Sequence, residues 1–180
     1  MSNLFFFLSV GVLAALFPST PQAASRTFNL YAYGDAVGGL PLLYQDGYAY
    51  VANTTDNSTF TSIYFTESAN SSTTWIAHPN TTLSPNATFT SQMLAIPIAE
   101  SASRQVGFVS GETATENKTI PDFRLYGKTV FVVSSSGAWE TLFFAGTTAN
   151  EGVWTLLWDP DDPNDAGVFP VALRTTPPSN

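Results

Sequence analysis

Residues 40–52 read LPLLYQDGYAYVA, two apolar and aromatic arms that meet at Asp46-Gly47. A two-residue type I′ turn needs positive φ at both central positions, and Asp-Gly supplies it. Counting outward from the turn sets Gln45 opposite Tyr48, Tyr44 opposite Ala49, Leu43 opposite Tyr50 and Leu42 opposite Val51. Successive strand side chains point to opposite faces, so both faces of this ribbon are largely apolar or aromatic. The hairpin is therefore expected within a core rather than on a free edge. Just before it, residues 27–33 (TFNLYAY) alternate Phe28, Leu30 and Ala32 against Asn29, Tyr31 and Tyr33. That is the pattern of a strand with two distinct faces.

The rest of the chain repeats this signature. Runs of Val, Ile, Thr, Phe, Tyr and Trp stand between clusters of Gly, Pro, Asn, Asp and Ser. Residues 59–66 (TFTSIYFT), 92–98 (QMLAIPI) and 105–110 (QVGFVS) read as strands, and 74–77 (TWIA) as a short strand or extended link. His78-Pro79-Asn80 and Ser84-Pro85-Asn86 are turn signals. Residues 123–126 and 129–134 form a second hairpin around Gly127-Lys128. Residues 138–145 (AWETLFFA) read as one strand with Trp139, Thr141 and Phe143 on one face. Residues 153–158 (VWTLLW) place Trp154, Leu156 and Trp158 together, and residues 168–175 (VFPVALRT) close the chain. The expected fold is all-β: an antiparallel sandwich or a closed barrel of about nine to eleven short strands.

Composition narrows the function classes. Charged residues make up 11% of the chain against a usual value of about 25%, which with 14% aromatics describes a folded protein. Fourteen acidic residues against six basic ones give a net charge of −8, with no basic run. Nucleic acid is not an expected partner. Cysteine is absent, which removes disulfides, thiolate chemistry and Cys-type zinc sites.

The first 25 residues, MSNLFFFLSVGVLAALFPSTPQAAS, carry an apolar run of signal-peptide length, shorter than the ~20 residues of a membrane span. Pro18 breaks the run, and small residues around Ala23 offer a cleavage point. Residues 1–24 are expected to be a cleaved signal helix, and residues 25–180 a single β domain with no membrane span. Asn-x-Ser/Thr sequons stand at Asn53, Asn57, Asn70, Asn80, Asn86 and Asn117. Glycans need exposed backbone in a secreted chain, so their confinement to the middle of the sequence agrees with the leader. The expected location is extracellular or the cell wall.

Catalytic chemistry has little to stand on. A Ser-His-Asp arrangement needs a nucleophile and an orienting acid besides His78, and neither is marked. Carboxylate pairs can hydrolyse glycosides, but Asp35, Asp46, Asp122 and Glu140 are not selected as a pair by any spacing. The acidic run at residues 159–165 (DPDDPND) departs from the EF-hand spacing and reads as a rigid turn rather than a cation loop. No catalytic residue, metal or cofactor is expected. Aromatic residues are more informative, because flat rings with nearby amides and carboxylates suit sugar rings. Tyr31 and Tyr33 share one strand face, as do Tyr48 and Tyr50, and these four are the candidate ligand-binding residues. Trp75 and Trp139 are candidates to join them on an exposed platform. The alternative is that the tyrosines line the core with their hydroxyls at its rim.

The leader, residues 27–53, the LLWD segment and the VALRTTPPSN ending together resemble small secreted proteins of filamentous fungi. The Gln45-Asp46-Gly47 hairpin is also similar to one in fungal phialide-type cell-wall proteins, which carry cysteines that this chain lacks. The resemblance implies a fungal extracellular or wall-associated β protein. With the leader, the sequons and the missing catalytic set, the expectation is a secreted, non-catalytic, N-glycosylated protein with polysaccharide as its partner. Two alternatives from other classes are a small carboxylate-dependent glycoside hydrolase and an effector-type interaction protein.

Overall fold

A computed structural model describes residues 26–53, 59–111 and 115–179. The leader and Asn57 lie outside the described residues. The described strands are β1 (Thr27–Phe28), β2 (Tyr31–Tyr33), β3 (Leu40–Gln45), β4 (Tyr48–Ala52), β5 (Thr61–Ser68), β6 (Ser71–Pro79), β7 (Gln92–Pro97) and β8 (Gly107–Val109). They continue as β9 (Lys118–Thr119), β10 (Asp122–Tyr126), β11 (Thr129–Val133), β12 (Trp139–Glu140), β13 (Phe143–Thr147), β14 (Val153–Trp158), β15 (Val168–Pro170) and β16 (Ala172–Arg174). Among the described residues no helix is long and apolar enough to cross a membrane.

The β3–β4 hairpin has the register counted from its sequence, with Gln45 opposite Tyr48 and Leu42 opposite Val51. Both turn residues have positive φ, 50° at Asp46 and 83° at Gly47, as a type I′ turn requires. Neither edge of the hairpin is free. β3 pairs with β2 and then β5, and β4 pairs with β14 and then β8. The order β3–β5–β6–β7–β8–β4 returns to its start, so six strands close into a barrel. A second circuit runs β4–β14–β13–β15 and, past Val171, β16–β2–β3. The hairpin is common to both, which explains why each of its faces must be apolar.

One large core runs through both circuits, with smaller clusters outside it. Leu42, Val51, Phe65, Trp75, Leu94 and Phe108 all belong to it, and Phe123, Val130 and Leu173 extend it under the outer strands. Trp75 binds these parts together. Its ring lies 5.0 Å from Phe28 and 5.0 Å from Phe123, and its Nε1 donates to the Ser72 carbonyl at 3.3 Å. Leu43 faces the other way and is buried with Phe60, Ala52 and Val153, so the outer face of the hairpin has a cover of its own.

Five expectations are corrected. Sixteen short strands replace nine to eleven, because several expected runs change partners midway. Residues 138–145 are one such run: Trp139-Glu140 pair with β11, whereas Phe143 onward pairs with β14. The closing run divides likewise at Val171, whose N–H bonds the Phe143 carbonyl. His78 and Pro79 end β6 instead of forming a turn, with His78 opposite Tyr64. Trp75, proposed for an exposed platform, is 1% exposed.

Candidate functional site

The β10–β11 hairpin turns at Gly127-Lys128, with Tyr126 opposite Thr129 and Arg124 opposite Phe131. Core packing takes Phe123, Leu125, Val130 and Val132, and alternation sends Arg124, Tyr126 and Phe131 to the outer face. β12 adds Trp139 opposite Val133. On the far edge of β11, Thr129 faces Arg174 of β16, which in turn faces Tyr31 of β2. One cross-strand row therefore runs Tyr126, Thr129, Arg174, Tyr31, Pro41. Opposed residues share a face, so aromatic side chains from four strands lie on one outer surface.

The outermost rings are well exposed, Tyr126 at 75% and Trp139 at 51%. Phe131 sits between them, 6.5 Å from Tyr126 and 5.8 Å from Trp139 between centroids. Interplanar angles of 89° and 56° make the surface ridged rather than flat. Arg174 lies over the Tyr33 ring at 5.6 Å, and the Tyr33 hydroxyl donates to the Thr176 carbonyl at 2.9 Å. Arg124 and Arg174 are on this face and Lys128 is in the turn at its edge, three of six basic residues in a chain of net charge −8. Among the described residues these three make no ion pair, the pairs being those of Arg104 with Asp159 and Asp161.

The four sequence-predicted tyrosines divide. Tyr31 and Tyr33 contribute to this face. Tyr50 packs on Phe60 at 5.1 Å and helps to cover Leu43. Tyr48 lies under the Lys118 ammonium, 4.3 Å from its ring centroid, and lines a separate cavity. Trp139 is exposed, as the platform reading requires. Tyr126, Phe131, Arg124 and Arg174 stand outside the predicted set. The register around Gly127-Lys128 carries enough information to align Arg124 with Phe131. Only the long-range β11–β16 pairing brings Arg174 beside them, and no local signal encodes that.

Two cavities were found elsewhere. The larger, about 490 Å³, lies between the β3–β4 turn and residues 83–89, and Tyr44 stacks on Phe89 in its wall at 4.0 Å. Among its described lining residues Asp46 is the only carboxylate. The smaller, about 270 Å³, is lined by Tyr48, Gln105, Lys118 and Ser101 among others, with no carboxylate among the described residues. Among the described residues neither holds the paired acids that glycoside hydrolysis requires.

His78 is half-buried, with Thr66 Oγ1 2.8 Å from Nε2 and Ser91 Oγ 2.7 Å from Nδ1. Its ring stacks on Tyr64 at 5.1 Å, and burial lowers its pKa from 6.5. Both ring nitrogens are thus satisfied by hydroxyls, and among the described residues no carboxylate orients the ring. The acidic run at 159–165 is clasped by Arg104, whose Nε donates to the Asp159 carbonyl at 2.8 Å and whose Nη2 lies 3.6 Å from Asp159 Oδ2. Asp162 closes a local turn by accepting from the Asn164 N–H at 3.0 Å. Among the described residues no group of three or more His, Asp or Glu side chains is placed to hold a metal.

No protein-family model, curated protein or solved structure matches the chain. What the exposed face can do chemically therefore follows from its residues: ring faces and edges suit the C–H surfaces of sugars, and guanidinium groups can donate to their oxygens.

Proposed function

We propose that this is a secreted, N-glycosylated, non-catalytic β protein of the extracellular space or cell wall that binds glycans through the Tyr126–Phe131–Trp139 face. The carrying observation is the exposure of Tyr126 and Trp139 beside arginines that make no ion pair among the described residues, in a chain with few charges. Large apolar side chains are costly to leave in water, and a cluster of them marks a contact surface. The sequons support the same surface. All six fall between residues 53 and 117, and the strands carrying the aromatic face have none. Attached glycans would crowd the strands from β4 to β9 and leave β10–β12, β16 and β2 bare.

Retention of the purified protein on insoluble chitin, cellulose and β-glucan tests this reading. Trp139→Ala and Tyr126→Ala should each weaken retention by about 2 kcal/mol, roughly thirty-fold, as truncation of an aromatic anchor does. Both side chains are exposed, so thermal stability should change little. Absence of retention on every polysaccharide, or retention unaltered in the double variant, would refute the proposal.

A further inference from the structure

The cavity of about 270 Å³ beside β4 and β9 has an unusual imbalance of charge and hydrogen bonding. Lys118 projects into it over the Tyr48 ring, and among the described residues no carboxylate pairs with it. Gln105 lines the same space, and its Nε2 is buried and, among the described residues, without a hydrogen-bond partner. A buried amide left unpaired is costly, and a desolvated ammonium more so. Burial accordingly lowers the Lys118 pKa from 10.5. Such groups are stabilised by an acceptor that carries negative charge.

The cavity fixes the position of that acceptor. Lys118 is held close because a Cβ on Gly107 would stand 2.7 Å from Lys118 Cε and 2.5 Å from the Gly47 carbonyl oxygen. The rest of the described lining is uncharged, and apart from Ala102 and the Tyr48 ring it is polar. Ser101 donates to the Ser103 carbonyl at 2.9 Å and keeps acceptor capacity, and the Ser103 hydroxyl keeps its own proton to donate. Asn117, a sequon residue, stands exposed at the rim. One cation calls for one negative charge, and the surrounding hydroxyls and amides call for a polyol. The volume, slightly below the roughly 300 Å³ at which drug-sized pockets begin, limits the ligand to about one ring.

We propose that this cavity binds a sugar acid, a hexuronate, with its carboxylate on Lys118 Nζ and Gln105 Nε2 and its hydroxyls on Ser101 and Ser103. The site shares no residue with the aromatic face, so each can fail without the other.

Calorimetric titration of the full mature protein with sodium glucuronate and sodium galacturonate, against glucose and acetate, provides the test. A hexuronate should bind, with glucose and acetate each about tenfold weaker or undetectable, because each lacks half of the recognised groups. Lys118→Met and Gln105→Leu should each weaken hexuronate binding about tenfold or more. Asn117 lies in a sequon, so Thr119→Val, which deletes the sequon and keeps the Asn117 side chain, should bind at least as well as wild type. Should Lys118→Met not fold, the side-chain amide resonances of Gln105 in the wild-type protein give a second measure, and they should shift on titration. No binding of either hexuronate, unshifted Gln105 resonances, or acetate binding as tight as hexuronate would overturn the proposal.

Discussion

The six-stranded barrel closes between β4 and β8 through one registered pair, Tyr48 opposite Gly107, and adding a single methyl group there tests that closure. In Gly107→Ala the new Cβ would stand 2.5 Å from the Gly47 carbonyl oxygen. That oxygen already accepts the Phe108 N–H at 2.9 Å, and it belongs to backbone that the type I′ turn holds in place. Relief requires β4 and β8 to separate. The overpacking costs about 1–3 kcal/mol, and losing the hydrogen bond adds about 1 kcal/mol. Lys118 Cε, the second contact at 2.7 Å, ends a flexible side chain and can move, so it adds little. The total of about 3 kcal/mol lowers Tm by roughly 6–12 °C for a chain of this size. Differential scanning calorimetry measures it, with Gly38→Ala as the control because a Cβ there meets nothing within 4 Å and no positive φ is involved. A Gly107→Ala protein as stable as wild type would mean that β4 and β8 do not approach as described, and the closed circuit would have to be abandoned.

Other perturbations read other parts of the structure. Gly47→Ala keeps its space but must adopt φ 83°, which should cost about 1–2 kcal/mol by urea denaturation. Leu42→Ala removes a side chain that is 2% exposed at the junction of both strand circuits, and should cost about 2–5 kcal/mol in the same assay. Burial lowers the pKa of His78, so the folded state disfavours its protonated form. Stability from this residue is therefore complete above pH 6.5 and falls as the pH drops through the folded pKa, and His78→Gln should flatten the Tm profile in that window. After expression through a eukaryotic secretory route, glycopeptide mapping should find Asn70, Asn86 and Asn117, all exposed, occupied more fully than Asn80. Asn80 is half-buried, and its Oδ1 accepts from the Thr82 and Leu83 N–H groups.

Local chemistry made much of the fold readable. Asp46-Gly47 set the register of the first hairpin because turn geometry fixes strand pairing, and the double apolar face of residues 40–52 announced a ribbon packed on both sides. Alternation in residues 27–33 likewise matched the burial of Phe28, Leu30 and Ala32. Where expectation failed, a strand exchanged partners. Nothing in AWETLFFA distinguishes one strand from two, because Trp139 and Phe143 have the same strand preference. Their environments differ, 51% against 1% exposed, only because β11 and β14 lie in different parts of the structure.

The two tyrosine pairs show the same limit acting on function. Spacing of two residues on a strand guarantees a shared face, and Tyr31 with Tyr33 and Tyr48 with Tyr50 obey it. It does not say what covers that face. β16 brings Arg174 beside Tyr31 and over Tyr33, whereas Phe60 folds onto Tyr50 and Lys118 onto Tyr48. Four side chains of one type thus acquire three kinds of surroundings from elements ten or more residues away in the chain. The same long-range assembly turns three scattered basic residues into a local concentration of positive charge on an acidic protein. Both proposed sites follow from it: one joins exposed rings to arginines, the other encloses a lysine and an amide for which the described residues supply no acceptor.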